Sequence, residues 1–150
     1  MTAVFDAMSL DNPAFKALLF YEALLIFKMM AMSVLTAMQR MKNKAFANPE
    51  DAASMKLKPK VHEDVERVRR AHLNDLENIL IFFVASWLYL LTQPNAAFAT
   101  MLFRIYTIAR YAHTLVYAVV VVPQPARGIA WFVGYGITGY MAATAALHFF

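Results

Sequence analysis

The chain has 150 residues, of which 61% are hydrophobic and 16% are charged, and its formal net charge is +4. A soluble domain has about 25% charged residues, and a domain this small cannot bury so large an apolar fraction, which excludes an ordinary soluble protein. The sequence contains no cysteine, which excludes disulfides, thiolate metal sites and a thiol switch within the chain. The composition therefore predicts a single membrane domain over residues 1–150.

Residues 15–38 form the core of the first predicted membrane helix. The stretch exceeds the roughly 20 residues that cross a bilayer, although Glu22 and Lys28 are costly in lipid. The preceding Asp-Asn-Pro at 11–13 indicates a helix cap followed by a first-turn proline. Because the start is acidic and no cleavage site with small residues follows, the stretch predicts a retained helix and not a signal peptide.

Three further apolar helices follow, separated by loops that contain proline. Proline breaks helix interiors, so the six prolines of the chain mark helix ends and loops. The expected fold class is all-α, an integral-membrane four-helix bundle. The predicted spans are about 14–40, 64–91, 96–122 and 127–149.

Basic residues are concentrated around the loop before the second helix. Most of the Lys and Arg residues lie between Arg40 and Arg70, whereas the loop 92–95 has none. The positive-inside rule places the basic loop in the cytosol and both termini on the opposite side. The loop before Arg127 then returns to the cytosolic side. A basic cluster bracketed by apolar spans is not typical of nucleic-acid binding, so no nucleic-acid partner is predicted.

The second helix carries a polar stripe. At about 100° per residue, Glu66, Arg70, Asn74 and Glu77 share one face. A solvated helix end is one explanation, but it accounts poorly for Asn74 and Glu77, which lie deeper, where a carboxylate needs a partner. A buried structural network of the same residues is an alternative that this helix alone leaves open.

The third helix carries a second stripe, with Tyr106, Arg110, His113 and Tyr117 at a 4-3-4 spacing. A lone intramembrane histidine is usually structural, but two stripes of ionisable residues at this depth indicate a functional site. The residues lack the ligand spacing of a zinc or di-iron site, so no metal is predicted. They also lack a nucleophile elbow and a glycine-rich phosphate loop.

Arg127 opens the fourth predicted helix, where a cation opposes the helix dipole by roughly 0.3–1 kcal/mol. Contact with lipid headgroups is one explanation, and an anion site formed with the free N–H groups of the helix start is the other. Further along the helix, Gly139 and Ala143 form a small-xxx-small pair, with Gly136 nearby. This pattern suits packing within one chain as well as packing between chains.

Four blocks of the sequence resemble the microsomal glutathione transferases, within the membrane-associated proteins of eicosanoid and glutathione metabolism. The resemblance extends from about residue 28 to about 140 and is closest to the type-one branch. It implies a homotrimer of four-helix bundles that holds glutathione as cosubstrate between subunits. It also implies residence in the endoplasmic reticulum membrane or the mitochondrial outer membrane. The blocks are KAFANPEDA (44–52), ERVRRAHLNDLENI (66–79), ARYAHTLVYAVV (109–120) and PQPARGIAWFVGYG (123–136).

The same resemblance implies roles for the polar residues. Arg127 matches the arginine that stabilises the glutathione thiolate and is the predicted catalytic residue. Arg110 matches a neighbouring structural cation, and His72, which points away from the stripe, is expected to pack. The predicted glutathione-binding residues are Arg40, Arg70, Asn74, Glu77, His113 and Tyr117.

Several positions distinguish the branches of this family. Leu73, Gly128 and Trp131 stand where prostaglandin E synthase has an arginine, a serine and a tyrosine, which favours the transferase branch. Ala52 stands where the vertebrate transferase pattern has a cysteine, so activation through that thiol is not expected.

The predicted function is conjugation of glutathione to hydrophobic electrophiles dissolved in membrane lipid, together with reduction of lipid hydroperoxides. Two alternatives from the same superfamily stay open: a prostaglandin E synthase-type isomerase and a non-enzymatic lipid carrier or scaffold. A channel or transporter is also compatible with the composition. However, the polar stripes cluster at one membrane face and not at the midplane, where transporter sites usually lie.

Overall fold

The computed structural model describes residues 2–150 and is helical in every regular element of that range, which confirms the predicted all-α class. The short helices α1 and α3 have 6 residues each, too few turns to show the hydrophobic period on which the sequence prediction relied. A π-helical turn, Leu115–Val119, continues α5. The α-helices are α1 (Thr2–Ala7), α2 (Pro13–Asn43), α3 (Pro49–Ser54), α4 (Glu63–Leu91), α5 (Ala96–Thr114) and α6 (Ala126–Phe149).

Side chains of the loops cap the long helices. Asn12 accepts a hydrogen bond from the Ala14 amide at 2.9 Å, so the predicted cap before α2 is present. His62 Nδ1 caps α4 in the same way through the Asp64 amide at 3.2 Å. Such caps satisfy N–H groups that have no partner within the helix. The start of each helix is thereby fixed, and with it the position of the polar residues in its first turns.

The four long helices form a bundle in which neighbours follow the order α2, α4, α6, α5, and α5 closes against α2. Phe82 of α4 stacks on Tyr106 of α5 with 3.6 Å between ring centroids. Gly134 of α6 lies against the same ring, because a Cβ at this position would come within 3.3 Å of Tyr106 Cε2. This close approach brings α6 against α5 and sets the width of the bundle.

Two helices, α2 and α4, are long and apolar enough to cross a membrane. Their outward faces carry exposed apolar side chains such as Phe27, Val34 and Ile81. Apolar patches of this kind suit contact with lipid and not with water. The four-span topology stays a prediction.

Three charged side chains meet inside the bundle. Asp75 of α4 pairs with both Lys28 of α2 and Arg110 of α5, and Arg110 Nη2 lies 2.5 Å from Asp75 Oδ1. All three residues are at least nine-tenths buried. Nearer the start of α2, Glu22 accepts a hydrogen bond from Trp87 Nε1 at 3.2 Å. Partners on α4 therefore offset the free-energy cost of placing the charged side chains of Glu22 and Lys28 within the membrane.

Candidate functional site

A cleft of about 380 Å³ opens where the start of α4, the end of α5 and the start of α6 meet. All the predicted site residues except Arg40 line it. We call it the cationic cleft, because two arginines line it against one carboxylate. Its lining residues are Arg70, Leu73, Asn74, Glu77, His113, Tyr117, Arg127, Gly128 and Trp131.

Arg127 lies across the cleft from α4 and packs on an aromatic ring. Its guanidinium carbon is 4.3 Å from the centroid of the Tyr117 ring, a cation–π contact. The His113 ring meets the same tyrosine edge-on, with 5.6 Å between centroids. His113, Tyr117 and Arg127 therefore form a continuous row from α5 to α6. The sequence indicated each residue but not this stacking.

The start of α6 is partly satisfied by the protein itself. The Gly128 amide donates to Gln124 Oε1 at 3.2 Å. One of the backbone N–H groups that were expected to bind an anion therefore already has a hydrogen-bond partner within the chain.

Tyr117 lies on the π-helical turn that follows α5. The turn is marked by the bond from the Val120 amide to the Leu115 carbonyl, five residues earlier, at 2.8 Å. Turns of this type widen a helix locally and are frequent at functional sites. The sequence predicted a regular helix to residue 122, because its apolar run contains no glycine or proline that would indicate the change.

Arg70 reaches the mouth of the cleft and forms an ion pair there. Its Nη2 lies 2.6 Å from Glu63 Oε1, and both side chains are largely exposed. A carboxylate ligand on Arg70 would compete with Glu63. Glu63 was not among the predicted site residues, although it lies seven positions before Arg70 and therefore on the same helix face.

Asn74 is oriented by Arg110 from behind the cleft. Arg110 Nη2 donates to Asn74 Oδ1 at 2.9 Å. Since arginine can only donate, the amide oxygen must face Arg110, and the NH₂ group is left for the cleft. Arg110 is itself fully buried and paired with Asp75. The expected structural cation thus acts on the cleft through the Asn74 amide.

The two predicted polar stripes divide between the cleft and the core. Tyr106 donates to the Asn78 carbonyl at 3.0 Å and takes no part in the cleft. His113 lines the cleft but is buried, and its Nδ1 lacks a hydrogen-bond partner within residues 2–150. Glu77 is exposed in the cleft, and no hydrogen bond or ion pair holds its carboxylate in the described part of the chain. His113 Nδ1 and the Glu77 carboxylate are therefore two unpaired groups that lie at the cleft.

Arg40 lies apart from the cationic cleft. It borders a small crevice together with His62, Glu66 and Arg69. Glu66, which the helical wheel placed with Arg70, pairs with Arg69 at 2.8 Å instead. Within one chain, the structure does not bring Arg40 or Glu66 to the other predicted residues.

A second cavity of about 640 Å³ adjoins the cleft between α4 and α6. We call it the lateral cavity. It shares Asn74, Glu77 and Trp131 with the cleft and continues along Ile81 and Tyr135. A charged compartment at the end of the bundle therefore leads into a more apolar one along its side.

Comparisons with known proteins agree with this arrangement. Residues 18–147 match the MAPEG family. The chain is similar to "Microsomal glutathione S-transferase 1" of Mus musculus, with 49% identity over 139 residues and 89% of each chain covered. Its identity to the Homo sapiens protein of the same name is 43% over 139 residues, again with 89% of each covered. Its identity to "Prostaglandin E synthase" of Homo sapiens is 37% over 113 residues, which covers 74% of each chain.

Proposed function

The chain belongs to the MAPEG family of membrane proteins, and from this premise we propose that it is a membrane-bound glutathione transferase. It conjugates glutathione to hydrophobic electrophiles and reduces lipid hydroperoxides. The observation that carries the proposal is the convergence of Arg70, Asn74, Glu77 and Arg127 on one cleft beside a more apolar cavity. The relatives named as transferases are also more similar to this chain than the prostaglandin synthase is.

The charges of the cleft match those of glutathione, an anionic tripeptide with two carboxylates, one ammonium group and a thiol. Arg70 would hold a carboxylate, and Glu77 the ammonium group. The Asn74 amide would donate to a carbonyl or carboxylate oxygen. His113 and Tyr117 would contact the peptide backbone from the opposite wall. Charge-assisted hydrogen bonds of this type are stronger than neutral ones, which favours a charged ligand over a neutral one.

Arg127 would stabilise the thiolate. A free thiol is mostly protonated at neutral pH, and the thiolate is the nucleophile. A guanidinium beside sulfur favours the anion and so lowers the pKa of the thiol. Because Arg127 is half-buried against the Tyr117 ring, its field is less screened than that of a fully solvated arginine.

The reaction needs no further cofactor. In conjugation, sulfur attacks an electrophilic carbon, an S–C bond forms, and the leaving group departs with its electron pair. In peroxide reduction, sulfur attacks an oxygen of the hydroperoxide, the O–O bond breaks, and the lipid leaves as an alcohol. A second glutathione then displaces water from the sulfenic acid and gives glutathione disulfide. The lateral cavity would admit the apolar substrate from the bilayer, because it opens along the side of the bundle and meets the cleft at Trp131.

Arg40 would complete the site of a neighbouring subunit. Its separation from the cleft of its own chain fits the homotrimer that the resemblance implies, with glutathione between subunits. We also propose that the protein resides in the endoplasmic reticulum membrane, with the mitochondrial outer membrane as the alternative. Its partners would then be glutathione, membrane lipid and two further copies of the chain.

Replacement of Arg127 by alanine tests this function. The variant should bind glutathione with little loss, but lose the ultraviolet absorbance of the bound thiolate and most of its activity towards chlorodinitrobenzene. Removal of one preorganised charge contact typically costs about 10²–10³-fold in rate. Arg127→Lys is the matched control and should keep part of both signals. A full thiolate signal in Arg127→Ala would assign the role to another residue, and inactive wild-type protein would favour the carrier or scaffold.

An isomerase acting on prostaglandin endoperoxides is the main enzymatic alternative. Leu73, Gly128 and Trp131, the three positions that depart from the synthase pattern, all line the cleft. The difference between the branches therefore lies where substrate would bind, which supports the transferase. Product analysis with a prostaglandin endoperoxide separates the two activities.

A further inference from the structure

A second groove, of about 1080 Å³, lies between α2 and α5 and shares no lining residue with the cationic cleft. We call it the α2–α5 groove. Its walls are mostly apolar, with Phe27 and Met38 from α2, Ile108 from α5 and Leu115 from the π-helical turn. From Tyr21 to Met38 it follows α2 for about 26 Å, at a rise of about 1.5 Å per residue. This length is close to the roughly 30 Å of the hydrocarbon core, so the groove runs parallel to lipid chains.

An arginine with no carboxylate beside it contacts Tyr21, the lining residue at one end of the groove. Arg104 Nε donates to Tyr21 Oη at 2.9 Å, and the side chain is exposed. No Asp or Glu pairs with it within residues 2–150. Arg104 lies about 12 Å along α5 from the first residue of that helix. An uncompensated cation at this depth is costly in lipid, and an anion in contact with it would remove much of that cost.

The wall next to Arg104 offers a further polar group. Thr107 lies one helical turn beyond Arg104, lines the groove and is buried. Its Oγ1 has no hydrogen-bond partner in the described part of the chain, and neither has that of Thr114, another lining residue. Buried hydroxyls normally have partners. A ligand with oxygen atoms near Arg104 would supply one for Thr107.

We propose that the α2–α5 groove binds a long-chain amphiphile with an anionic head. Its carboxylate or phosphate contacts Arg104, and its chain extends along the groove towards Met38. Arg104 and Tyr21 lie at one end, and from there the walls are mostly apolar, although Thr114 lies further along and Lys28, which also lines the groove, is paired with Asp75. A polar end followed by a long, mostly apolar wall is the polarity of a fatty acid or an anionic phospholipid. The site is separate from the glutathione chemistry and does not depend on it.

The test uses the full-length protein in phosphatidylcholine nanodiscs and palmitic acid with a diazirine near its methyl end. Illumination should cross-link the probe to α2 and α5 near Leu35, Met38 and Leu115. Arg104→Gln should reduce labelling about ten-fold, because a charge-assisted hydrogen bond is lost. Ala31→Phe, which fills the groove without a change of charge, should reduce it similarly. Lys16→Gln removes an exposed cation of α2 outside the groove and should label like the wild type.

A second measurement needs no variant. The methyl ester of the same probe lacks the charge and should label the wild-type groove far less than the acid does. A diazirine phosphatidylglycerol distinguishes the two sources of the anionic head, since a phospholipid site would be labelled by it more strongly than by the fatty acid. Equal labelling by acid and ester, or undiminished labelling of Arg104→Gln, overturns the proposal. Cross-links between two protein chains across the groove, formed in a separate experiment with a bifunctional reagent, would assign the groove to a second copy instead.

Discussion

The Asn74 amide shows how a residue outside a site determines what the site can bind. Its oxygen accepts from Arg110, so only its NH₂ group is free for a ligand in the cleft. Asn74→Asp keeps the contact with Arg110 but replaces the donor with a carboxylate oxygen. We expect the dissociation constant for glutathione to rise at least about ten-fold, because a donor to an anionic ligand is lost and a like charge is introduced.

Equilibrium binding of glutathione checks this prediction, with Asn78→Asp as the control. Asn78 lies one turn further along α4 and borders the lateral cavity, not the cleft. The same chemical change there should leave glutathione affinity nearly unaltered. Wild-type affinity in Asn74→Asp would contradict the assigned orientation of the amide.

Glu63 competes with any carboxylate that binds Arg70. Exposed ion pairs are worth about 0.2–1 kcal/mol, so Glu63→Gln should tighten glutathione binding by about two- to five-fold. Added salt should narrow the difference from the wild type, since it screens the ion pair. Glu66→Gln is the control, because Glu66 pairs with Arg69 outside the cleft. Weaker binding by Glu63→Gln would show that Glu63 supports the ligand.

The sequence indicated which polar residues of α4 lie together at the cleft, while their roles stay a prediction. Helical spacing was sufficient to select Arg70, Asn74 and Glu77, because residues on one face of a continuous helix stay on that face after folding. Spacing could not place Arg40 relative to the cleft, since Arg40 lies on α2 and its position depends on how α2 packs against the other helices. Nor could it indicate that Arg110 faces Asp75, which is a contact between helices distant in sequence.

At the scale of elements, Asp75 joins α2, α4 and α5 through its two cationic partners. Asp75→Asn would leave two cations buried without an anion, which should reduce stability by about 3–5 kcal/mol. Lys28→Met would leave the Asp75–Arg110 pair intact and should therefore reduce stability clearly less. The double variant should be more stable than Asp75→Asn alone, because one of the two cations is gone.

Thermal unfolding in a single detergent ranks these three variants. Equal loss in Lys28→Met and Asp75→Asn would mean that the lysine, and not the balance of charge, holds the helices together. Glutathione binding should be weakened in Asp75→Asn as well, since Arg110 then lacks the carboxylate that fixes its position behind Asn74.

The long helices were predicted from their apolar length and, for α2, from the cap at residues 11–13, both of which are local properties. The end of α5 at Thr114 was not predicted. The run after His113 is apolar and β-branched, and such residues crowd a regular α-helix without forbidding it. The π-helical turn thus reflects packing against α4 and α6, which the local sequence does not encode.

At the scale of the whole molecule, α6 presents a face of small residues to its surroundings. A Cβ added at Gly136 or Gly139 would meet nothing within 4 Å in the chain. Packing within the protomer therefore does not explain these glycines, whereas close packing against another helix would. Gly139→Leu should leave the protomer folded but weaken assembly.

Native mass spectrometry in detergent measures this directly. The wild type should appear as a trimer, Gly139→Ala as mostly trimer, and Gly139→Leu as monomer or dimer. Loss of glutathione binding together with the trimer would support a site shared between subunits. If Gly139→Leu forms a trimer as stable as that of the wild type, the contact between subunits lies on another face of the bundle.

The cationic cleft lies at a single end of the bundle, which under the proposed function would make conjugation directional. With the basic loop in the cytosol, as predicted, an apolar compound would be taken from the bilayer and released as an anion on that side alone. Its newly acquired charges would prevent diffusion back through the membrane and so spare the opposite compartment. Clearance from the cell would then require a separate export carrier for organic anions.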